Sequence, residues 1–231
     1  MAALPSTPAQ VASAVDLDQP VDALNDALAP LEESLIEEFE APTEPLVFIV
    51  GAPRSGTTLL TQLLISQYQI GYVSNLVARF WKAPYFGLLL AKEIRDSERP
   101  PDVGFTSDHG FTSGYEGPHE FGHFWRRWFD YQETHSVRAE AIEAETINGL
   151  RRECAAMQSI EESRLLFKNL VCSFQVEFLA RTFPQAVFVH CRRNPIYVAQ
   201  SLLRCREQYR EHREEWFSVK PEAYPELKEL P

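Results

Sequence analysis

The sequence predicts an α/β fold of three layers, with a central parallel sheet flanked by helices. Two observations carry that prediction. Residues 46–64, LVFIVGAPRSGTTLLTQLL, read as an apolar strand, a loop bearing Gly51 and Gly56, and a helix that opens at Thr57 and Thr58. Further along, RLLFK (164–168) and AVFVHC (186–191) are short apolar runs, each followed by a helical pattern. Strands that alternate with helices form a parallel sheet covered on both faces, and near-continuous apolar strands suit such a sheet.

Taken in order, residues 1–20 are rich in Ala, Pro, Ser and Asp and read as a loose tail. Leu24, Leu28, Leu31, Leu35 and Phe39 recur at helical spacing, and Pro30 is expected to divide them into two short helices. Residues 1–44 are thus a tail with ancillary helices, and APTEP (41–45) leads into a domain spanning 45–231. After the loop, a helix is expected over 56–66 and a short strand within 68–73. Helix formers fill 75–91, and a long loop with aromatics and glycines is expected over 92–118. A short aromatic helix (120–131) and a long amphipathic one (136–157) follow. The last two strands feed helices over 173–182 and 195–213, the latter opened by Pro195 in its first turn.

A chain of 231 residues is large enough for one stable core. Its net charge of −11 argues against nucleic acid or an anionic membrane surface as partner, since both call for a basic face. No apolar run approaches the roughly 20 residues of a membrane span, and residues 1–20 lack the basic and apolar regions of a signal peptide. The four cysteines, Cys154, Cys172, Cys191 and Cys205, form no CxxC pair and read as reduced core thiols. A cytoplasmic location is the expectation.

The loop carries the chemistry. A strand that runs through a glycine-bearing turn into a helix N-terminus converges main-chain N–H groups and the positive end of the helix dipole on one anion. The spacing is G-x4-G, which makes the fold P-loop-like, but Thr57 stands where a nucleotide-hydrolysing loop has Lys. Arg54 is the only cation in the loop. That exchange points away from ordinary ATP or GTP chemistry and leaves a nucleotide kinase or NTPase as the runner-up. Gly51, Pro53, Arg54, Ser55, Gly56, Thr57 and Thr58 are the candidate anion-binding residues. A second constellation, VHCRRNPIYVAQSLL, sets Arg193 at the end of a strand and Ser201 eight residues on in the next helix. Both groups can reach a phosphate at the carboxyl edge of the sheet, where ligands of open α/β sheets bind.

Together the two motifs resemble the sulfotransferase family, whose donor is 3′-phosphoadenosine 5′-phosphosulfate. PRSGTT (53–58) is similar to the family's 5′-phosphosulfate loop, and VFVHCRRNPIYVAQS to its 3′-phosphate motif, with Arg193 and Ser201 in the matching places. The resemblance covers roughly residues 45–206 and puts Lys168 on the family's strand-end catalytic lysine. It implies transfer of a sulfonyl group to a hydroxyl or amine on a small molecule or peptide. In that reaction Arg54 and Lys168 act on the departing phosphate oxygen, and no metal is needed. A non-catalytic nucleotide-binding or scaffold protein is the remaining alternative.

The sequence departs from the family in four places. Leu170 occupies the position of the cytosolic members' catalytic His, and YVSNLVARF holds no carboxylate where the tyrosylprotein members have a Glu. Leu59 replaces an adenine-stacking Trp. Nothing after Arg213 matches the basic, glycine-bearing segment that closes over the 3′-phosphate, so the domain is expected to be either C-terminally incomplete or more open there. The base is therefore sought in SDHGFTSGYEGPHEFGHFW, which concentrates Asp108, His109, Glu116, His119, Glu120 and His123. Glu116 is the first candidate and His119 the second. H-x3-H at His119 and His123 lacks the Glu placement of a zinc protease, which makes a metal site the lesser reading. Aromatics over 80–86 and 105–129 are available to line an apolar acceptor pocket.

Overall fold

The structure is a computed structural model that describes residues 18–97, 104–105, 107–108, 110–129, 131–137, 142–210 and 215–229. Four parallel strands form the central sheet: β1 (Val47–Gly51), β2 (Gly71–Tyr72), β5 (Leu165–Lys168) and β6 (Val187–Cys191), in the order β2-β5-β1-β6. A two-residue hairpin, β3 (Ser107–Asp108) and β4 (Phe111–Thr112), stands apart from it. The helices are α1 (Asp18–Leu35), α2 (Thr57–Gln67), α3 (Pro84–Ser97), α4 (Gly122–Trp128), α5 (Ala144–Glu161), α6 (Val176–Thr182), α7 (Pro195–Tyr209) and α8 (Tyr224–Leu227). This is the parallel α/β architecture predicted from the strand-helix alternation.

Register is fixed by a row of phenylalanines. Phe48 is paired with Phe167 on one side and Phe188 on the other, and its ring stacks on both, at 5.6 and 5.4 Å between centroids. A slip of one residue would send every one of these rings to the opposite face. Trp125 of α4 packs on Phe48 and edge-on to Phe167, and the buried Phe121, Phe124 and Phe129 extend the cluster. The same register aligns the carboxyl ends of the strands, with Ile49 beside Lys168 and Gly51 beside Cys191. The loop after β1, Lys168 and Arg193 therefore leave the sheet at one edge.

Several elements differ from expectation. Pro30 lies inside one continuous helix instead of separating two. A proline removes one intrahelical hydrogen bond, but residues on both sides of it are anchored to the domain. Asn25 donates to the carbonyl of Arg79 at 2.7 Å, and Glu32 accepts from the N–H groups of Tyr85 and Phe86. The loop expected over 92–118 is shortened, because α3 runs on to Ser97 and the hairpin occupies part of the remainder. Strand β2 is two residues long, a 3-10 turn (Val171–Phe174) precedes α6, and the expected start of the long helix moves to Ala144. The tail over 1–17 and the expected end of the last strand-borne helix at 211–213 lie outside the described residues.

The expectation that the sheet is covered on both faces holds for β1 and β5 but not for β6. That strand is an edge, with Val187 half exposed, and Cys205 is the one fully buried residue of α7. Helix α2 is inverted as well: Thr57, Thr58, Thr61 and Gln62 face inward while Leu59 and Leu63 face out. Among the described residues the cysteines are unpaired thiols, and burial pushes those of Cys154 and Cys172 well up. No helix of the described residues is long and apolar enough to cross a membrane.

Candidate active site

Local backbone geometry shapes the loop between β1 and α2 around its two glycines. A Cβ on Gly51 would lie 2.7 Å from the carbonyl oxygen of Cys191 and 2.9 Å from the Ser55 hydroxyl, so only glycine fits between the two strand ends. Gly56, at the N-terminus of α2, has φ +103° with open space around it, and there glycine is required by conformation and not by room. Arg54 adopts the left-handed region at φ 65°, a strained setting for a non-glycine residue. The hydroxyl of Ser173, from the turn after β5, accepts the Gly51 N–H at 2.9 Å and donates to the Gly51 carbonyl at 3.2 Å. The loop is thus tied to the strand that ends in Lys168.

The two sequence motifs meet. Arg54 donates from Nε to the Ser201 hydroxyl of α7 at 2.9 Å, across 147 positions of chain. Arg193 donates to the carbonyl of Arg54 at 3.0 Å. The Ser55 hydroxyl is buried and, among the described residues, has no hydrogen-bond partner. A buried orphan hydroxyl inside a loop that a methyl group would fill suits a ligand's anionic oxygen, and this fits the donor group that the sequence implies. Thr57 and Thr58 are buried in the first turn of α2, and Pro53 is half-buried at the loop's crown.

Opposite the loop, Lys168 is 3% exposed, and its ammonium meets Glu120 Oε1 at 2.5 Å. Asn169, the next residue, donates to the Glu120 carbonyl at 2.8 Å and accepts from Val171 N–H, which locks the strand end to the segment before α4. His119 lies in the same turn. Its main-chain N–H donates to the Val73 carbonyl, and its ring Nδ1 accepts from the Phe121 N–H at 2.8 Å, so the neutral ring carries its proton on Nε2. Burial lowers the His119 pKa, opposed by Glu120 and assisted by Lys168.

Glu116 is engaged elsewhere. It is 6% exposed, and the Tyr72 hydroxyl bonds its carbonyl at 2.9 Å and its carboxylate at 3.2 Å. Burial, reinforced by Glu116, raises the Tyr72 pKa. Tyr72 pairs with Leu166, two residues short of Lys168, so the carboxylate at the strand-end lysine is Glu120 and not the residue ranked first from sequence. His123 packs beside Trp81. His109 and the side chain of Asp108 lie outside the described residues. Among the described residues, no cluster of His, Cys, Asp or Glu has the arrangement of a metal site. The one cue to Glu120 available in sequence was its place in the dense polar stretch; its link to Lys168 depends on how the chain folds back.

The fold and this edge define an α/β protein in which a glycine-bearing loop after β1 meets an arginine that follows β6. Comparison with known proteins then places it: the chain belongs to the sulfotransferase family, which it matches over residues 45–226. It is 27% identical to the omega-hydroxy-beta-dihydromenaquinone-9 sulfotransferase Stf3 of Mycobacterium bovis and of Mycobacterium tuberculosis, over 69% of this chain and 45% of theirs. The chain thus spans about half the length of these curated relatives. Among solved structures it is similar to sulfotransferase STF1 from Mycobacterium tuberculosis, with 19% identity and a TM-score of 0.47 over 79% of this chain and 54% of the other. Sulfotransferase STF9 from Mycobacterium avium gives 20% identity and a TM-score of 0.48 over 80% and 50%.

Proposed function

We propose that this chain binds 3′-phosphoadenosine 5′-phosphosulfate and takes part in transferring its sulfonyl group to an acceptor hydroxyl or amine. The observation that carries the reading is the joining of loop and second motif, Arg54 to Ser201 and Arg193 to the Arg54 carbonyl. The loop N–H groups, Arg54, Ser55, Thr57 and Thr58 hold the 5′ side of the donor; Arg193 and Ser201 hold the 3′-phosphate. The donor supplies an activated sulfonyl group on a phosphate leaving group. Arg54 and Lys168 offset the charge that gathers on the departing oxygen, the role fixed donors perform best in a preorganised site.

The acceptor reading is a hydroxyl carried on an apolar body. Phe111 and Tyr115 stand exposed on the segment around Gly110, whose backbone comes close enough to α2 that a Cβ there would lie 3.6 Å from the Thr58 hydroxyl. The relative named for a hydroxylated menaquinone supports the same class. Titration with 3′-phosphoadenosine 5′-phosphate, against ATP plus magnesium, tests the donor class. The bisphosphate is expected to stabilise the protein and ATP to do so weakly. Arg193→Ala should weaken bisphosphate binding about tenfold or more, the loss of one charged hydrogen bond. Stabilisation by ATP alone, or full affinity in Arg193→Ala, refutes the assignment.

A further inference from the structure

Glu120 is held with more care than a surface carboxylate requires. Its carbonyl is taken by Asn169, and the residue before it is bonded through its N–H to Val73. The residue after it, Phe121, sits at φ 57° and ψ 43°, the left-handed region that bulky residues avoid. Phe121 is 1% exposed, stacked on Phe124 at 4.5 Å, with its N–H bonded to His119 Nδ1. Strain of this kind persists only where packing over-determines it, and it concentrates at functional sites. Here it turns Glu120 toward the end of β5, against the Lys168 ammonium, while 39% of its side-chain surface stays open.

From this geometry we infer that Glu120 is the proton acceptor of the transfer, working as a pair with Lys168. The inference rests on the sulfonyl-transfer reading above. As the acceptor's O–S bond forms, its hydroxyl proton passes to the Glu120 carboxylate. The S–O bond to the donor phosphate breaks, and the electron pair leaves on the phosphate oxygen beside Lys168. The carboxyl then returns its proton to solvent, so atoms and charge balance. His119 does not compete for this role, because its Nδ1 lone pair is already occupied by Phe121 and its other nitrogen carries the proton. His119 is a positioning residue for the turn. The ionisable groups facing Glu120 are Lys168 from β5, Cys172 from the turn after it, and His119.

The test uses the full chain and two readouts. Calorimetric titration with 3′-phosphoadenosine 5′-phosphate reads donor binding, and sulfur-35-labelled donor with 2-naphthol or 1-dodecanol reads transfer. Glu120→Gln removes a negative charge beside Lys168, so it should bind the bisphosphate about twofold to fivefold tighter. Transfer should fall at least about a hundredfold, the range of general-base catalysis. Affinity that is unchanged or weaker in Glu120→Gln overturns the inference even where neither alcohol proves an acceptor. A wild-type rate of transfer, or loss in Glu116→Gln alone, overturns it equally. Should the Gln variant fail to fold with Lys168 unpaired, Glu120→Asp decides. It keeps the ion pair and is expected to lose transfer at least about tenfold at unchanged bisphosphate affinity, and a wild-type rate in it refutes the role. If the wild-type chain does not bind the bisphosphate at all, the donor reading falls first and the assignment falls with it. If binding persists and Glu120→Gln transfers normally, only the assignment of the base fails.

Discussion

At the scale of single residues, the two loop glycines are required for different reasons, and the difference can be measured. Gly51 has no room for a methyl group, because the Cys191 carbonyl and the Ser55 hydroxyl close on it from both sides. Gly56 has room but a positive φ. Gly51→Ala must therefore push the loop off the neighbouring strand and is expected to abolish bisphosphate binding. Gly56→Ala strains one residue, by about 1–3 kcal/mol, and should lower the melting temperature while leaving measurable binding. Calorimetric titration and thermal melts of the two variants check the contrast; equal losses of affinity would contradict it. This loop was legible in sequence because its requirements are local, a glycine at each point where the backbone bends. Glu120 was not, because its importance derives from a left-handed Phe121 and from Asn169 and Lys168, 48 positions away in the case of the lysine. No local pattern encodes either. Glu116 is as acidic and as close in sequence, yet it folds under Tyr72.

At the scale of elements, α1 is joined to the domain by a buried carboxylate. Glu32 is 1% exposed and caps the first turn of α3, accepting from Tyr85 N–H at 2.8 Å and Phe86 N–H at 3.2 Å. Sequence periodicity identified the helix but not its continuity through Pro30, which depends on Asn25 and Glu32 finding partners 54 and 53 positions away. Burial pushes the Glu32 pKa up to about 8, opposed by the two N–H groups and raised further by Glu153. The folded value lies above the ordinary unfolded carboxyl near 4.3. The folded state therefore holds the proton more tightly, and the stability it contributes is complete below that unfolded value. It is lost as pH rises through about 8. His119 and His135, whose values are lowered by burial, act in the opposite sense, losing stability as pH falls. Comparison with Glu32→Gln isolates the carboxyl. The melting temperature of the wild type relative to this variant should decline from pH 5 to pH 8.5, and a constant difference would show that Glu32 does not titrate with folding.

At the scale of the whole molecule, the proposed donor would set an acidic chain the task of binding a strongly anionic ligand. The parallel sheet was readable from the alternation of elements, since that alternation is a property of the whole sequence. Which strand ends at an uncovered edge was not, because β6 is as apolar as β1 and only the order β2-β5-β1-β6 leaves it outermost. That order also brings Arg54 and Arg193 together at one edge of a molecule whose net charge is −11. The two contributions act over different distances. In the proposed complex the cations lie within a hydrogen-bond length of the ligand, whereas the exposed acidic residues away from the site act at long range. Screening separates them, because the Debye length is about 30 Å at 0.01 M salt, about 10 Å at 0.1 M and about 3 Å at 1 M. Raising salt from about 0.01 to 0.1 M should therefore remove distant repulsion first and tighten bisphosphate binding. Raising it further screens the arginine contacts themselves and should weaken binding severalfold by about 1 M. Calorimetric titration across that range is expected to give an affinity maximum near 0.1 M. The rising limb should vanish in a variant carrying acid-to-amide changes at the exposed Asp22, Glu33 and Glu145 of α1 and α5. A monotonic fall from the lowest salt would mean that the ligand feels only the local arginines, and that the overall acidity of the chain does not reach the site.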